Sequence, residues 1–531
     1  MKKISLIFWE VVLIMLIATS CEDMEKVNKD PNNPDNVPSN MLFSGAQKKA
    51  VDFIYDNWFS GRQCLVYSQY WGQRNYTEED RYMIRENLND DYFNSLYVLV
   101  ANFDEVIKLN TDPKTAVVSI RYGNNDNQIA ASKIMKAWLF SIITDTWGNV
   151  PYFEAGKLKD NIYHPKYDNQ AIIYKELIKE LTEAANMIDE SELAFIGGDM
   201  IYDGDASKWK KFANSLKCRL ALHTSKVENS NWRNYIDEAL ISGVFESNDD
   251  AAAYHYSVIA PEYCYFYENT FIQQRNDFTI TRPFADILKG VRDTLNDKTH
   301  PWEGTIDPRL AMFTTSRDGE YIGIPFGVPS NAMLTAYRNA SPNWYSFPPM
   351  HLMPNFPVPI MTYAEVLFII SEYNGFSMDE YAEGVEASID YWSSISGKFV
   401  SDADKMEYIA DVTKMVNAEA VALQKYIDLY LNGTEAWVEI RRTGYPNQLL
   451  KPGELSVAGS TRTDGLDIRF EPLSDTKGLI IPRVKYPTNE STLNGANFNE
   501  AVSKLEDGTN NYYSPMFWDK RRAEGPHPAN K

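Results

Sequence analysis

The chain has 531 residues, of which 44% are hydrophobic and 24% are charged. This usage is close to that of ordinary globular proteins and excludes a disordered or fibrous chain. The formal net charge of −21 argues against nucleic acid and anionic membrane surfaces as partners, because phosphate groups bind to concentrated positive charge. Aromatic residues make up 13% of the chain, and Tyr and Trp, which combine an apolar face with a polar group, suit a binding protein.

The N-terminus has the pattern of an export signal. Lys2 and Lys3 precede an apolar stretch over residues 4–18, and small residues follow up to Cys21. A basic start, a short apolar run and small residues before a cleavage site are typical of a secretory signal peptide. A transmembrane helix would need about 20 consecutive apolar residues, whereas this stretch is shorter and contains Glu10.

The segment ATSC, which ends in Cys21, resembles the processing site of bacterial lipoproteins. That resemblance implies that residues 1–20 are removed and that Cys21 is diacylated; the alternative is a plain secreted protein with an incidental cysteine. Residues 21–40 are rich in Asn, Pro and Asp and predict a flexible tether. Glu22 and Asp23 resemble the signal for surface display in lipoproteins of glycan-foraging Gram-negative bacteria.

Helical periodicity dominates the rest of the chain. Apolar residues recur at helical spacing within residues 128–145, 171–188, 209–220, 361–370 and 412–430. Neighbouring stripes resemble tetratricopeptide-type hairpins, in which each hairpin buries its apolar face on the next. Residues 262–359 and 446–487 lack this periodicity and are rich in Pro and Gly. We therefore predict a mostly α fold, with residues 41–531 forming one domain of helical scaffold and loop-rich lobe.

No local motif indicates catalysis or metal binding. The chain lacks the signatures GxSxG, HExxH, Walker A and GxGxxG, and no two of its six His lie within five positions of each other. Glu435 and Glu439 lie one helical turn apart, just before Arg441 and Arg442. This spacing is typical of a partly solvated ion-pair network. With 73 carboxylates in the chain, a glycosidase pair cannot be assigned to any two of them.

The sequence predicts no cofactor. Cys64, Cys218 and Cys264 match no zinc spacing and cannot pair completely, so we interpret them as small buried hydrophobic residues. Residues 124–127 (NNDN) are more typical of a turn than of a calcium loop, although calcium stays open.

An ordered set of segments resembles the SusD/RagB family of nutrient-binding outer-membrane lipoproteins, in its SusD-like branch. The resemblance covers nearly all of the mature chain. Each motif is weak alone, but their order is specific. They are VNKDPNNP (27–34), TDTWGNVPY (144–152), WKKFANSLKCRLAL (209–222), DPRL (307–310), MTYAEVLFIISE (361–372), LQKYIDLYLNGTEAWVEIRRTGYP (423–446), IPRVKYPTNE (481–490) and FWDK (517–520).

The resemblance implies a SusD-like α/α superhelix of about four tetratricopeptide-like helix pairs packed against a loop-rich lobe. It implies no catalysis. Family members sit on the cell surface over a SusC-like TonB-dependent transporter, capture an oligosaccharide or less often a peptide, and pass it inward. It also implies that ligand contacts come from an early segment and from the lobe between residues 310 and 361.

Candidate ligand-binding residues are aromatic and polar side chains outside the helical stripes. A sugar ring needs an aromatic platform for its C–H faces and polar groups for its hydroxyls. Packing within a loop is the alternative for each aromatic residue. The candidates are Trp71, Gln73, Asn75 and Tyr76 in YWGQRNY, Trp302 in HPWEG, Tyr321 in GEYIGIP, and Trp344 and Tyr345 in SPNWYSFPP.

The sequence leaves three functions open beside glycan capture. The same architecture could capture a peptide or amino acid, the chain could be a surface glycoside hydrolase, or its helical repeats could bind only protein. Trp138, Trp209 and Trp437 lie on helical stripes, and Trp147 and Tyr152 lie just after one. We expect these five residues to pack in the scaffold and not to bind ligand.

Overall fold

The computed structural model describes residues 37–56, 58–74, 76–275, 277–333 and 353–522. The predicted signal peptide, Cys21 and most of the tether lie outside these ranges. Helices dominate the described residues, which confirms the predicted mostly α fold. They are α1 Ser39–Ile54, α2 Leu65–Tyr67, α3 Glu86–Thr111, α4 Pro113–Ser119, α5 Asn125–Trp147, α6 Gln170–Met187, α7 Ala206–His223, α8 Trp232–Ser242, α9 Tyr265–Tyr267, α10 Arg282–Leu288, α11 Leu310–Phe313, α12 Ser330–Met333, α13 Tyr363–Tyr373, α14 Met378–Ser396, α15 Asp402–Val412, α16 Ala418–Asp428, α17 Gly433–Thr443, α18 Glu490–Leu493 and α19 Gly495–Ser503.

Side-chain caps fix where the scaffold helices begin. The side chains of Asp205, Thr362 and Asn432 each accept a hydrogen bond from a backbone N–H in the first turn of α7, α13 and α17. Such a cap contributes about 1 kcal/mol. Helices that lie close together in sequence then pack on one another: α3 on α5, α5 on α6, α6 on α7, α7 on α8, and α13 on α14. This arrangement is a superhelix of helix pairs.

Two predicted helical stripes differ from the structure at their ends. Met361 ends a strand, and α13 starts only at Tyr363, after the Thr362 cap. The stripe over residues 412–430 is two helices, because Val412 ends α15 and Asn417 caps the separate helix α16. In both places a capping side chain, which offers the backbone an alternative partner, interrupts a continuous apolar pattern.

The described residues form three small antiparallel sheets, of which the first two join distant parts of the chain. Their strands are β1 Trp71–Gln73, β2 Ala252–Tyr254, β3 Phe278–Ile280, β4 Val358–Met361, β5 Leu455–Val457 and β6 Ile468–Arg469. β1 pairs with β3, with Trp71 opposite Ile280 and Gln73 opposite Phe278. β2 pairs with β4, and β5 with β6. The first of these sheets brings the segment after α1 against the predicted loop-rich lobe.

The core contains the aromatic residues that the helical stripes predicted. Trp138, Trp209, Trp437 and Trp147 are buried, and Tyr152 is partly buried with its hydroxyl on Glu180 at 3.0 Å. Cys64, Cys218 and Cys264 are buried free thiols, as predicted. Burial raises the pKa of each thiol to about 12, so these groups are inert hydrophobic residues near neutral pH.

The interpretation of Glu435, Glu439 and their neighbours as a partly solvated network is wrong, because the network is buried. His223 Nε2 lies 2.8 Å from Glu435, and Arg442 lies 2.7 Å from Glu439. Burial alone would raise the pKa of Glu439, but Arg442 and Lys425 hold it below its usual range. Charged side chains that are buried away from water need partners of opposite charge. Helices α7 and α17 bring these partners together here.

Among the described residues, no helix combines the length and the apolar character that crossing a bilayer requires. Residues 124–127 open helix α5, and the Asn124 side chain accepts the backbone N–H of Asn127 at 3.1 Å. This run of Asn and Asp therefore caps and begins a helix, where the sequence predicted a turn.

Candidate ligand-binding site

Three loops meet beside the β1–β3 sheet and form the candidate site. The first follows α1 and carries Trp58. The second follows β1, and its Arg74 backbone N–H donates to the carbonyl of Asp277 at 2.8 Å. The third, which leads into β3, carries Arg275 and Asp277. Because antiparallel pairing fixes β1 against β3, the second and third loops leave the sheet at the same edge.

Trp58 stands in a turn that a buried carboxylate holds in place. The carboxylate of Asp56 accepts the backbone N–H groups of Trp58 at 2.8 Å and Phe59 at 2.5 Å. A π-helical turn, Ser60–Cys64, follows directly. The indole of Trp58 is partly exposed, with the guanidinium of Arg62 at 4.4 Å and that of Arg275 at 5.9 Å from its ring centre. Both distances suit cation–π contact.

Two shared carboxylates fix these guanidinium groups. Glu79 lies 3.1 Å from both Arg62 and Arg85. Asp277 lies 2.6 Å from Arg275 and 3.8 Å from Arg62. Arg62 is nearly buried, whereas about two fifths of the Arg275 and Arg85 side chains remain exposed. The cluster therefore has Arg62 as its fixed base, and Arg275 and Arg85 offer N–H donors at its exposed edge.

An aromatic ladder lies on the chain segment that precedes Arg275. The ring centres of Tyr263 and Tyr267 are 5.3 Å apart, and those of Tyr267 and Phe271 are 4.9 Å apart and nearly parallel. The second half of this segment is π-helical, Glu268–Ile272, and Phe271 is 55% exposed. Tyr263 meets Tyr267 edge to face, whereas Tyr267 and Phe271 are stacked. The exposed ring of Phe271 offers a platform for a flat apolar face.

A cleft of about 490 Å³ separates helices α1 and α3 beside the Trp58 turn, and Asp56 forms part of its wall. This volume falls in the range of small-ligand sites, roughly 300–1,000 Å³. Its floor is mainly apolar, and burial raises the pKa of Asp56 to about 7. The other lining residues include Lys49, Asp52, Phe53, Val98, Leu99 and Tyr265.

Of the predicted site residues that the structure describes, Tyr76 is the most exposed, and its role in ligand binding stays a prediction. Its side chain is 64% exposed, and its backbone has a φ of 58°. Backbone in this region is uncommon for a residue other than Gly and persists only when its surroundings hold it. Here Thr77 donates its backbone N–H to Ser330 at 3.0 Å, and the Asp80 carboxylate accepts that of Gln73 at 2.9 Å.

The prediction that Trp71 and Trp302 present their rings to ligand is wrong. Trp71 has no exposed surface; its ring packs on Phe278, and its N–H donates to the Tyr430 hydroxyl at 3.1 Å. Trp302 is 6% exposed and packs edge-on against His300. Strand pairing turns the first ring inward, and the second closes a loop beside α10.

Gln73 and Tyr321 are both less exposed to solvent than Tyr76. Gln73 is 1% exposed, and neither atom of its side-chain amide has a hydrogen-bond partner among the described residues. Tyr321 is partly buried against the main core. Asn75, Trp344, Tyr345 and Cys21 lie outside the described residues.

The sequence did not single out Trp58, Arg62, Arg275 or the ladder. One signal was present: Tyr263, Tyr267 and Phe271 recur every four residues, as on one face of a helix. They stand in a segment that otherwise reads as a loop. Nothing in the sequence indicated that Arg62 and Arg275 lie side by side, because they are more than 200 positions apart.

One group of described residues has the geometry of metal ligands. Ligand atoms of His223, Glu435 and Glu439 lie within 4.8 Å of one another. Lys425 lies 3.2 Å from Glu439, and Arg219 lies 3.7 Å from Glu435. Since these cations already compensate the carboxylates, the group is an ion-pair network that joins α7, α16 and α17.

Comparison with known families identifies the class of protein. A family model described as starch-binding and associating with the outer membrane matches residues 31–461. A second model, for the SusD and RagB outer-membrane lipoproteins, matches residues 405–519. The first match spans most of the chain, so the protein belongs to the SusD-like family. This confirms the resemblance noted in the sequence.

Solved structures show the same fold over almost the whole chain. A chitin-binding protein is 26% identical, with a TM-score of 0.68 over 90% of this chain and 99% of that one. A SusD homologue from Parabacteroides distasonis is 19% identical, with a TM-score of 0.72 over 91% and 98%. A chitin-binding SusD homologue from Flavobacterium johnsoniae is 21% identical, with a TM-score of 0.68 over 90% and 98%. A search of curated proteins gives no match.

Proposed function

We propose that this protein captures oligosaccharides at the surface of the outer membrane and delivers them to a SusC-like TonB-dependent transporter. The observation that carries the proposal is the partly exposed ring of Trp58 between the guanidinium groups of Arg62 and Arg275. The ladder, whose Phe271 is exposed, lies on the segment that leads to Arg275. Cys21 would hold the protein on the membrane through its acyl chains, since more than one chain gives stable attachment.

The chemistry of the site suits a sugar. The exposed ring of Phe271 and the partly exposed indole of Trp58 offer flat apolar faces to sugar C–H groups. Around them, Arg275 and Arg85 have exposed donors, and Glu79 and Asp277 orient those donors. Each hydrogen bond that replaces water contributes about 0.5–1.5 kcal/mol. We therefore expect roughly micromolar to millimolar affinity.

Weak binding is sufficient for a capture protein that stays next to its transporter. Tethering converts transfer into an intramolecular step with a high effective concentration. The names of two structural relatives point to chitin, and the matching family model is described as starch-binding. Chitin and starch oligosaccharides are therefore the first ligands to test.

Affinity electrophoresis of the purified protein through gels that contain soluble chitin derivatives, starch or other glycans tests glycan binding. We expect retardation by at least one glycan without release of shorter sugars. Trp58→Ala and Phe271→Ala should reduce it. Phe399→Ala is the matched control, because Phe399 is 89% exposed but lies between α14 and α15. Retardation by no glycan together with binding to peptides would favour peptide capture, and released oligosaccharide would indicate a hydrolase.

Delivery is tested in the native membrane. Purification of the tagged protein from gently solubilised outer membranes should bring down one TonB-dependent barrel in equimolar amount. Loss of that barrel should abolish growth on the bound glycan, while glycan binding at the cell surface remains. Growth without the barrel would contradict the proposed delivery.

A further inference from the structure

Two helical segments form most of the cleft that lies beside the Trp58 turn. Its lining residues fall within residues 49–56 on the α1 side and residues 94–99 on α3, and within each set they recur at the spacing of one helical face. The helices α1 and α3 pack on each other. Tyr265, at the start of α9, completes the wall. We call this space the α1–α3 cleft.

Three apolar side chains, Phe53, Val98 and Leu99, give the α1–α3 cleft an apolar floor. Val98 is 61% exposed, Leu99 is buried, and Phe53 is partly buried against the main core. Ring contacts to Phe59 and Tyr92, each with ring centres 5.9 Å apart, hold Phe53 in place. A ligand that brings a methyl group to this floor gains free energy by removing apolar surface from water.

Hydrogen-bond donors border the apolar floor. Lys49 and Asn94 are exposed and Ser95 is partly exposed, and all three residues line the α1–α3 cleft. None of these three side chains forms a hydrogen bond or an ion pair with another described residue. Their donors are therefore available to an acceptor on a ligand, such as a carbonyl oxygen.

The two carboxylates of the α1–α3 cleft differ in what they can still accept. Asp52 already accepts the Tyr256 hydroxyl and the ammonium of Lys48, each at 2.6 Å. Asp56 accepts both backbone N–H groups of the Trp58 turn on one oxygen, Oδ1, so Oδ2 is the oxygen that it offers to a ligand. A neutral N–H suits this position better than a cation, because Lys48 and Lys49 already place positive charge here.

The α1–α3 cleft is continuous with the surroundings of Trp58. Asp56 lines the cleft and also holds the turn that presents Trp58. Tyr265 lines the cleft and lies two residues before Tyr267 of the ladder. The cleft is therefore within reach of a sugar unit that neighbours one bound at Trp58.

An acetamido group carries the three features that the α1–α3 cleft can satisfy. Its methyl group matches the apolar floor, its carbonyl oxygen matches the donors of Asn94 and Ser95, and its N–H matches Asp56. A sugar with hydroxyl groups alone would leave the floor uncovered. We propose that this cleft binds the acetamido group of an N-acetylhexosamine unit while a neighbouring unit of the same chain lies at Trp58. The inference rests on the proposed function and names the class of sugar that is captured.

Titration calorimetry of the protein with three oligosaccharides of equal length tests this specificity. They are a chitin oligosaccharide, its deacetylated form and a cellulose oligosaccharide, which has the same backbone linkage but hydroxyl groups in place of the acetamido groups. We expect the chitin oligosaccharide to bind at least about tenfold more tightly than the other two, since a pocket for one additional group discriminates by about this factor or more.

A substitution on the floor assigns the preference to the α1–α3 cleft. Val98→Ser should lower the preference for the chitin over the cellulose oligosaccharide about fourfold, the value of one methyl-sized apolar contact. Val117→Ser is the matched control, because Val117 is 65% exposed on α4, and it should change neither affinity. Phe271→Ala should weaken both ligands alike and leave the preference as it is.

Equal affinity for the chitin and cellulose oligosaccharides would overturn the inference and leave glycan capture intact. Tighter binding of the deacetylated form would overturn it as well, since the cleft would then take an ammonium group. A preference that Val98→Ser leaves unchanged would place acetamido recognition outside the cleft and contradict the assignment. Absence of binding by every glycan tested, starch included, would instead reject the proposed function on which the inference rests.

Discussion

The carboxylate of Asp56 accepts the backbone N–H of Trp58, so a buried acid holds the turn that presents the indole at the candidate site. Burial raises the pKa of this carboxyl to about 7, although the hydrogen bonds from Phe59 and Trp58 favour its charged form. A group with this pKa changes its charge within the physiological range, and it does so directly behind Trp58 of the candidate site.

Asp56→Asn should remove part of the pH dependence of stability. The folded pKa lies above the unfolded value of 3.8, so the stabilising contribution is complete below about pH 4 and is lost as the pH rises to about 7. The free energy of unfolding of the substituted protein, relative to that of the parent, should rise from pH 5 to pH 8 by at most about 3 kcal/mol. Urea denaturation at the two pH values measures this difference, and a pH-independent difference would contradict the assignment.

Tyr267→Ala should weaken glycan binding, because Tyr267 is the middle ring of the ladder and contacts both Tyr263 and Phe271. A ring contact contributes about 0.5–1.5 kcal/mol, so we expect the Kd to rise roughly twofold to tenfold. Titration calorimetry measures it. Tyr267→Phe is the matched control and should bind as the parent does; equal affinity of all three proteins would remove the ladder from the site.

Trp71→Phe should lower stability but leave glycan affinity unchanged. The substitution removes the hydrogen bond to the Tyr430 hydroxyl and leaves a cavity in the core, which together cost about 2 kcal/mol. Thermal unfolding gives the stability and titration the affinity. Lower affinity at a temperature where the variant is fully folded would show that Trp71 acts in ligand binding after all.

Arg62→Met should destabilise the protein by about 3 kcal/mol, because it leaves Glu79 and Asp277 with fewer positive partners near buried surface. Adding Glu79→Gln to this variant should restore part of the lost free energy of unfolding. Denaturant titration of the single and double variants gives the coupling between the two positions. Independent effects would show that the ion pair does not stabilise the site.

Gly123→Ala should be costly, whereas Gly156→Ala should be mild. Both glycines have positive φ, 134° and 72°, which costs a residue with a Cβ about 1 kcal/mol or more. The conformation of Gly123, with a ψ of 171°, is one that essentially only Gly adopts. The added methyl at Gly123 would also lie 2.1 Å from the carbonyl oxygen of Ala194, whereas nothing lies within 4 Å of it at Gly156. We expect about 3 kcal/mol or more at Gly123. Similar melting temperatures for the two variants would contradict the close approach.

Much of the scaffold could be predicted from the sequence because the rule for an amphipathic helix is local. The stripe with Trp209, Phe212 and Leu216 specifies a helix without reference to the rest of the chain, and α7 covers it. The errors at Met361 and Val412 come from capping side chains, whose effect on the backbone is also local but competes with the apolar pattern.

The candidate site was harder to predict because burial depends on partners far away in the sequence. Trp71 and Tyr76 lie in one short segment, and the local sequence pattern does not distinguish a buried aromatic residue from an exposed one. Pairing of β1 with β3 buries Trp71 against Phe278, whereas the turn beyond the strand leaves Tyr76 exposed. The role of Arg275 could not be predicted for the same reason, because its position beside Trp58 depends on a contact between segments more than 200 residues apart.

The pairing of Trp71 with Ile280 has a consequence for secretion and assembly. A chain that crosses a membrane N-terminus first exposes the segment at β1 long before the segment at β3. Closing a loop over such a distance is slow. The candidate site, which joins Trp58 to Arg275, cannot form before the second of these residues has emerged. For the exported lipoprotein proposed above, competence to hold a ligand would therefore begin only after about residue 280 has crossed the membrane.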